Sequence, residues 1–309
     1  MFAIIFPGQG SQTVGMCLEL YKKFNTIKDT FKEADEILKF PISELILNGP
    51  KEDLDLTENT QPAIFLTSLS IINLLKKDFK KDIFKAKYFA GHSLGEYSAL
   101  ASANSISFSD CLKILKIRGH SMQTSVPKGE GGMIAILGSK IETIEKLLID
   151  NKSKYSCFVA NDNSIGQIVI SGTNENINKL VLDLKNLKIR NIKLPVSAPF
   201  HCQLMSKATK IMNDEILKLN FLEPKIPIVS NVTAKEEKDV HKIKKLLVDQ
   251  IESRVRWRES VLHMINNGVD HFIEIGPGKV LSSMIKRINS SVKISAINNE
   301  EDINNLKLI

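Results

Sequence analysis

Residues 89–100 read FAGHSLGEYSAL. Ser93 stands between Gly91 and Gly95 in a Gly-x-Ser-x-Gly pattern. Residues 87–90 predict a short strand and residues 94–103 a helix. A strand, a tight glycine-bounded turn and a helix make a nucleophile elbow. The glycines permit the sharp turn and the close approach of neighbouring chain. The serine then projects at the carboxyl end of a strand, where open α/β sheets hold their ligands. It also lies at a helix amino terminus, whose free N–H groups hold an oxyanion, with Leu94 N–H the nearest donor. The same residues also fit a glycine-rich strand-to-helix turn with a capping serine.

Outward from the elbow, residues 2–6 form an apolar run ended by Pro7-Gly8, a buried strand and a turn. Residues 14–47 read as helices with polar breaks, 60–75 as a buried helix with Pro62 near its start, and 109–124 as a helix capped by Ser107 or Ser109. The composition shifts at VPKGEGG, residues 126–132, a plausible boundary. Beyond it come a strand (133–137), a helix (141–150), two strands (156–160 and 167–171), a helix (175–187) and a strand (191–196). That β-α-β-β-α-β order is the ferredoxin-like arrangement. Helices at 205–217, 240–252, 257–266 and 279–287 then alternate with strands at 226–230 and 271–275. Strands alternating with helices imply a mostly parallel sheet covered on both faces. The expected fold is α/β: a large α/β-hydrolase-like domain of residues 1–125 and 198–309, interrupted by a small ferredoxin-like domain of residues 126–197.

The totals agree with a globular chain. Of 309 residues 43% are hydrophobic, and the net charge is +7. The lysines are scattered, without aromatic interleaving or a dense basic stripe, so nucleic acid is not an expected partner. Four distant cysteines with no Cys-x-x-Cys pair fit a reducing compartment. MFAIIFPGQG has no basic region before its apolar run, which reads as a buried strand rather than a signal peptide. The longest apolar run, near 63–75, is broken by Thr67, Ser68 and Ser70, so no membrane span is expected. The expectation is a soluble cytoplasmic protein, monomeric, with no metal and no cofactor.

A serine nucleophile needs a base. Of six histidines, His92 is too close to Ser93 in a tight turn, and His120 lies late in a helix. His241, His263 and His271 sit in charged or helical settings that read as solvent-facing. His201 follows LPVSAPF, a strand broken at Pro199, and opens a helix, which puts it on a loop over the sheet edge. A structural histidine is the alternative. Arg118 shares a helix face with Cys111, Ile114, Leu115 and Met122. Only six basic residues are arginines, so a planar, two-pronged cation on an apolar stripe suggests carboxylate recognition, with a structural ion pair as the alternative. PGQGSQ, residues 7–12, brings backbone amides to the sheet edge and is not a P-loop. EIGPGKVL, residues 274–281, is either a phosphate cradle or a plain turn.

FPGQGSQTVGM, TQPA, GHSLGEYSAL, IRGHSMQ, PVSAPFHCQLM, SNVTA and EIGPGKVL, in that order along nearly the whole chain, resemble the malonyl-CoA:acyl-carrier-protein transacylases. That family loads malonyl groups for fatty-acid synthesis. The resemblance implies malonyl-CoA and acyl carrier protein as partners. It implies Ser93 as the acylated nucleophile, His201 as its base and Arg118 as the clamp on the malonyl carboxylate. It further implies that the Gln9 and Leu94 N–H groups form the oxyanion hole, and that the Gln250 carbonyl orients the histidine. One position departs: Ser253-Arg254 stands where the family usually has Asn-Pro, so a proline-fixed turn is missing near Gln250. A serine thioesterase or esterase of α/β-hydrolase type shares the elbow but needs an acid beside its histidine. A carrier-binding module without activity, and an enzyme for another acyl group, are the remaining alternatives.

Overall fold

The computed structural model describes residues 1–196 and 198–307. Ser197, at the end of the expected small domain, and residues 308–309 lie outside the described residues. In chain order the strands are β1 (Phe2–Phe6), β2 (Tyr88–Gly91), β3 (Gly131–Leu137), β4 (Cys157–Ser164), β5 (Gln167–Thr173), β6 (Arg190–Lys193), β7 (Ile228–Val229), β8 (Glu236–Glu237), β9 (His271–Ile275) and β10 (Lys293–Ile297). They form a six-stranded sheet, β10-β9-β1-β2-β7-β8, and a four-stranded one, β4-β5-β3-β6. In the first, only β7 and β8 pair antiparallel. The second is antiparallel throughout.

The residue pattern of β1 explains the larger sheet. All five residues of FAIIF are buried. Side chains alternate across a strand, so Phe2, Ile4 and Phe6 enter one core while Ala3 and Ile5 enter another. In β2, Phe89 joins the first core and Tyr88 and Ala90 the second. Helices Thr57–Lys77 and Phe108–Thr124 supply the first core, Trp257–Asn266 and Val280–Ile288 the second. Strands covered on both faces need no polar alternation, which is why β1 reads as a continuous apolar run.

The smaller sheet interrupts the chain between β2 and β7. Ile134, Ile136, Ile168 and Ile170 pack under helices Ile141–Asp150 and Asn174–Asn186. On its other face, Met133, Ala135 and Val169 join the first core of the large sheet. The small sheet is therefore seated on the larger body through its own apolar residues.

Several sequence expectations are corrected. β4 runs to Ser164, not 160, because its polar end is paired: Val255 N–H donates to Ala160 O at 2.8 Å and Asp162 N–H to Val255 O at 2.9 Å. Arg258 Nε reaches both Asp162 oxygens at 3.0 Å. β6 stops at Lys193 rather than 196. His201 does not open a helix; a 3₁₀ turn, Gln203–Met205, precedes the helix Ser206–Lys218. β10 and the helix Glu300–Asn305 had no sequence signal, since KISAI is half-exposed at the sheet edge and mixes polar with apolar residues. Among the described residues, no helix is long and apolar enough to cross a membrane, and all four cysteines are free.

Candidate active site

The elbow is built by what its glycines lack. A Cβ on Gly91 would lie 1.9 Å from the Gly95 carbonyl, and one on Gly95 would lie 2.3 Å from Phe6 O. Only hydrogens fit where β2 folds back onto its own helix beside β1. Ser93 adopts φ 53°, the left-handed region that side chains rarely take. Asn231 holds it there: its Oδ1 accepts from Ser93 N–H at 2.7 Å and its Nδ2 donates to Gly91 O at 2.7 Å. His92 turns away as expected, with Nε2 2.8 Å from Asn163 Oδ1.

Ser93 Oγ lies 2.9 Å from His201 Nε2. His201 Nδ1 lies 2.8 Å from the Gln250 backbone oxygen. A carbonyl only accepts, so the proton belongs on Nδ1 and the Nε2 lone pair faces the serine hydroxyl. The imidazole is 5% exposed. Burial, and next the positive charge of Arg118, push its pKa down to about 3. The ring is neutral at physiological pH and able to accept a proton.

Arg118 is 1% exposed on the helix Phe108–Thr124. Its Nη1 donates to Gln61 Oε1 at 2.7 Å; its Nη2 donates to Gln250 Oε1 at 2.8 Å and Ser93 Oγ at 3.1 Å. The guanidinium also sits over the Tyr97 ring, 5.6 Å from its centroid. The structural ion pair weighed from the sequence is not there: among the described residues the ion-paired arginines are Arg254, Arg256 and Arg258. Arg118 is a buried cation held by neutral amides and a hydroxyl.

Gln9 and Leu94 line the same cleft as Ser93, Arg118 and His201, a space of about 100 Å³. The first loop presses on the elbow, since a Cβ on Gly8 would lie 2.6 Å from His92 O. Among the described residues neither the Gln9 nor the Leu94 backbone N–H donates to another protein group. Leu194 and Val196 also line this cleft and, with Gln9, border a second one of about 530 Å³.

Five polar residues of the site carried no expectation from the sequence: Gln61, Glu96, Asn161, Asn163 and Asn231. Glu96 had a signal, the one charged residue in the helix Gly95–Ser102. Burial pushes its pKa up to about 7, against the pull of Asn231, Gln250 and Arg118. It bonds amides rather than the histidine. His263 and His271 are half-buried, bonded to Glu236 and Ser295, rather than solvent-facing; His241 is exposed. At the departure from the family pattern, Arg254 Nη1 reaches Glu145 at 2.6 Å, and the Gln250 carbonyl still meets His201.

A serine and a neutral histidine at the carboxyl end of a parallel strand, in a cleft also lined by Gln9 and Leu94, are the parts of an acyl-transfer enzyme. Comparison with known proteins gives the family. The chain belongs to the acyl transferase domain family, matched over residues 3–307, and is an acyltransferase. It is 42% identical to the malonyl CoA-acyl carrier protein transacylase of Bacillus subtilis, over 97% of this chain and 94% of the relative. It is 39% identical to that of Salmonella typhimurium, over 96% of each. An acyl-carrier-protein S-malonyltransferase from Bartonella henselae superposes with a TM-score of 0.95 at 39% identity, covering 98% of this chain and 97% of that one. A malonyl-transacylase solved in complex with a type II PKS acyl-carrier protein gives 0.94 at 36% identity, over 98% of this chain and 97% of that one.

Proposed function

We propose that this enzyme carries the malonyl group from malonyl-CoA to the phosphopantetheine thiol of acyl carrier protein, supplying fatty-acid synthesis. The observation that carries the malonyl assignment is Arg118, a buried guanidinium that makes no direct ion pair among the described residues, 3.1 Å from the serine oxygen. A dicarboxylic acyl group supplies the missing anion, and a planar fork suits a carboxylate. Acetyl offers no such group.

His201 Nε2 takes the Ser93 proton as Oγ attacks the thioester carbonyl. The Gln9 and Leu94 amides receive the oxyanion. The C–S bond breaks, the proton passes to the coenzyme A thiolate, and malonyl remains as an ester on Ser93. The carrier thiol then attacks that ester, giving its proton to His201, and Ser93 is restored. The Gln250 carbonyl steers the imidazole, so the imidazolium formed in each half lacks a buried carboxylate partner. The malonyl anion on Arg118 offsets part of the positive charge that opposes it.

We read residues 1–125 and 198–309 as an α/β-hydrolase-like body and residues 126–197 as a ferredoxin-like insertion. The strand order β4-β5-β3-β6 with two helices on one face supports the second name. We read the enzyme as a cytoplasmic monomer. The esterase alternative loses weight because His201 Nδ1 faces a carbonyl instead of an acid.

Intact mass after brief incubation with malonyl-CoA, beside acetyl-CoA and a Ser93→Ala control, tests the proposal. A malonyl adduct on the unaltered protein alone, discharged on adding carrier protein, is expected. Free coenzyme A released without an adduct or carrier loading would turn the reading to a hydrolase.

A further inference from the structure

Glu96 has no part in the chemistry above, yet it lies beneath it. The residue sits in the first turn of the helix Gly95–Ser102 and is 3% exposed. Burying a carboxylate is unfavourable unless hydrogen bonds replace its water. Its Oε2 accepts from the Gln250 amide Nε2 at 2.7 Å and from Asn231 N–H at 3.0 Å. Through these partners it touches every working part. Gln250 Oε1 accepts from Arg118 at 2.8 Å, and the Gln250 carbonyl meets His201 at 2.8 Å. Asn231 holds the Ser93 amide at 2.7 Å.

A primary amide has an oxygen end and a nitrogen end of nearly equal shape, and its partners decide which faces where. At Gln250 the partners agree: Glu96 Oε2 is the nearest of three acceptors of Nε2, with Ser93 O and Asn231 Oδ1 the others, and Oε1 accepts from Arg118. A guanidinium can only donate, and an ionised carboxylate can only accept. With Glu96 on one side, the NH₂ must face it and Oε1 must face Arg118. Take the carboxylate away and the NH₂ keeps only the longer contacts to Ser93 O at 3.2 Å and Asn231 Oδ1 at 3.4 Å, so the amide is held less firmly and Arg118 with it.

We propose that Glu96 is a positioning residue for the acyl-carboxylate clamp: its short bond anchors the Gln250 amide and thereby the position of Arg118 beside Ser93. The proposal rests on the reading of Arg118 as the group that holds the malonyl carboxylate. Its sign separates it from a plain charge effect. Arg118 is the cation that faces Glu96. Removing a nearby anion strengthens the field of Arg118 and, through charge alone, improves malonyl selection. Losing the fixed amide displaces the clamp and impairs it.

The test is Glu96→Gln, close in shape and able to turn either way. Self-acylation is followed with malonyl-CoA and acetyl-CoA at pH 8, above the Glu96 pKa of about 7, with rates counted per titratable Ser93. The malonyl-over-acetyl ratio of kcat/KM is expected to fall about tenfold, mostly through KM for malonyl-CoA, as for a modest misplacement of a binding group. A ratio unchanged or raised overturns the proposal, as does an equal loss on both acyl groups, which marks a merely structural residue. If Glu96→Gln gives too little folded protein, Gln250→Met tests the same link while keeping the backbone carbonyl. The same fall is expected, and an unchanged ratio overturns the idea. Arg118→Ala in the same assay separates the layers. If it leaves the ratio intact, the clamp reading fails and this proposal with it. If it collapses the ratio while Glu96→Gln does not, only the role of Glu96 fails.

Discussion

Burial and a neighbouring guanidinium both disfavour a charged His201, and together they make it one contributor to the protein's response to acid. The folded-state pKa is about 3 against an ordinary 6.5. A depressed pKa means the folded protein resists a proton that the unfolded chain accepts. The stability His201 contributes is therefore complete above pH 6.5 and lost as the pH falls toward 3. Its full span is roughly 5 kcal/mol, at about 1.36 kcal/mol per unit. We predict that His201→Gln flattens the loss of stability between pH 7 and pH 4, followed by urea unfolding at each pH. Parallel curves for the variant and the unaltered protein would refute it. At this scale the sequence was uneven. Ser93 was legible because its role is written in a contiguous pattern. Arg118 was legible as an arginine on an apolar stripe, though not that amides and a hydroxyl would hold it. The roles proposed for Gln9 and for the Gln250 carbonyl use backbone atoms, which any residue supplies, so only family resemblance pointed to them. Glu96 and Asn231 act by orienting other residues, and their partners lie 154 and 138 positions away.

At the scale of elements, the junction of β2 with its helix is the least forgiving part of the chain. Gly95 and Gly129 make a controlled pair. A methyl group on Gly95 would meet Phe6 O at 2.3 Å, whereas one on Gly129, at φ +90°, would meet nothing within 4 Å. Gly129→Ala is expected to cost about 1 kcal/mol of backbone strain. Gly95→Ala is expected to cost about 3 kcal/mol and most of the activity, because backbone must move. Denaturant midpoints decide it, and equal costs would remove the steric explanation. Long, one-sided elements were read correctly: the helices Ile141–Asp150 and Trp257–Asn266 have the bounds their periodicity predicts. β4 was cut short because Asn161-Asp162-Asn163-Ser164 looks like a loop, and the partners that satisfy it, Val255 and Arg258, are distant in sequence.

For the whole molecule, the ion pair between Asp162 and Arg258 joins the small sheet to a helix of the larger body. Asp162 is almost wholly buried, and Arg258 approaches it as closely as 2.8 Å. Arg258→Met leaves that carboxylate without a partner and is expected to destabilise by about 3 kcal/mol. Adding Asp162→Asn should recover most of the loss. A double variant as unstable as the single one would show that shape, not charge, dominates there. Thermal unfolding of the three proteins settles the point.

The pairing of β4 with Val255 has a further consequence. His201 hangs from the chain that leaves the small sheet after β6, and its partner carbonyl, Gln250, sits five residues before the strand segment docked on β4. The His201 imidazole is thus set between two segments that both lead back to the smaller sheet. The 2.9 Å gap between Ser93 Oγ and His201 Nε2 is thereby tied to the seat of that sheet on the larger body.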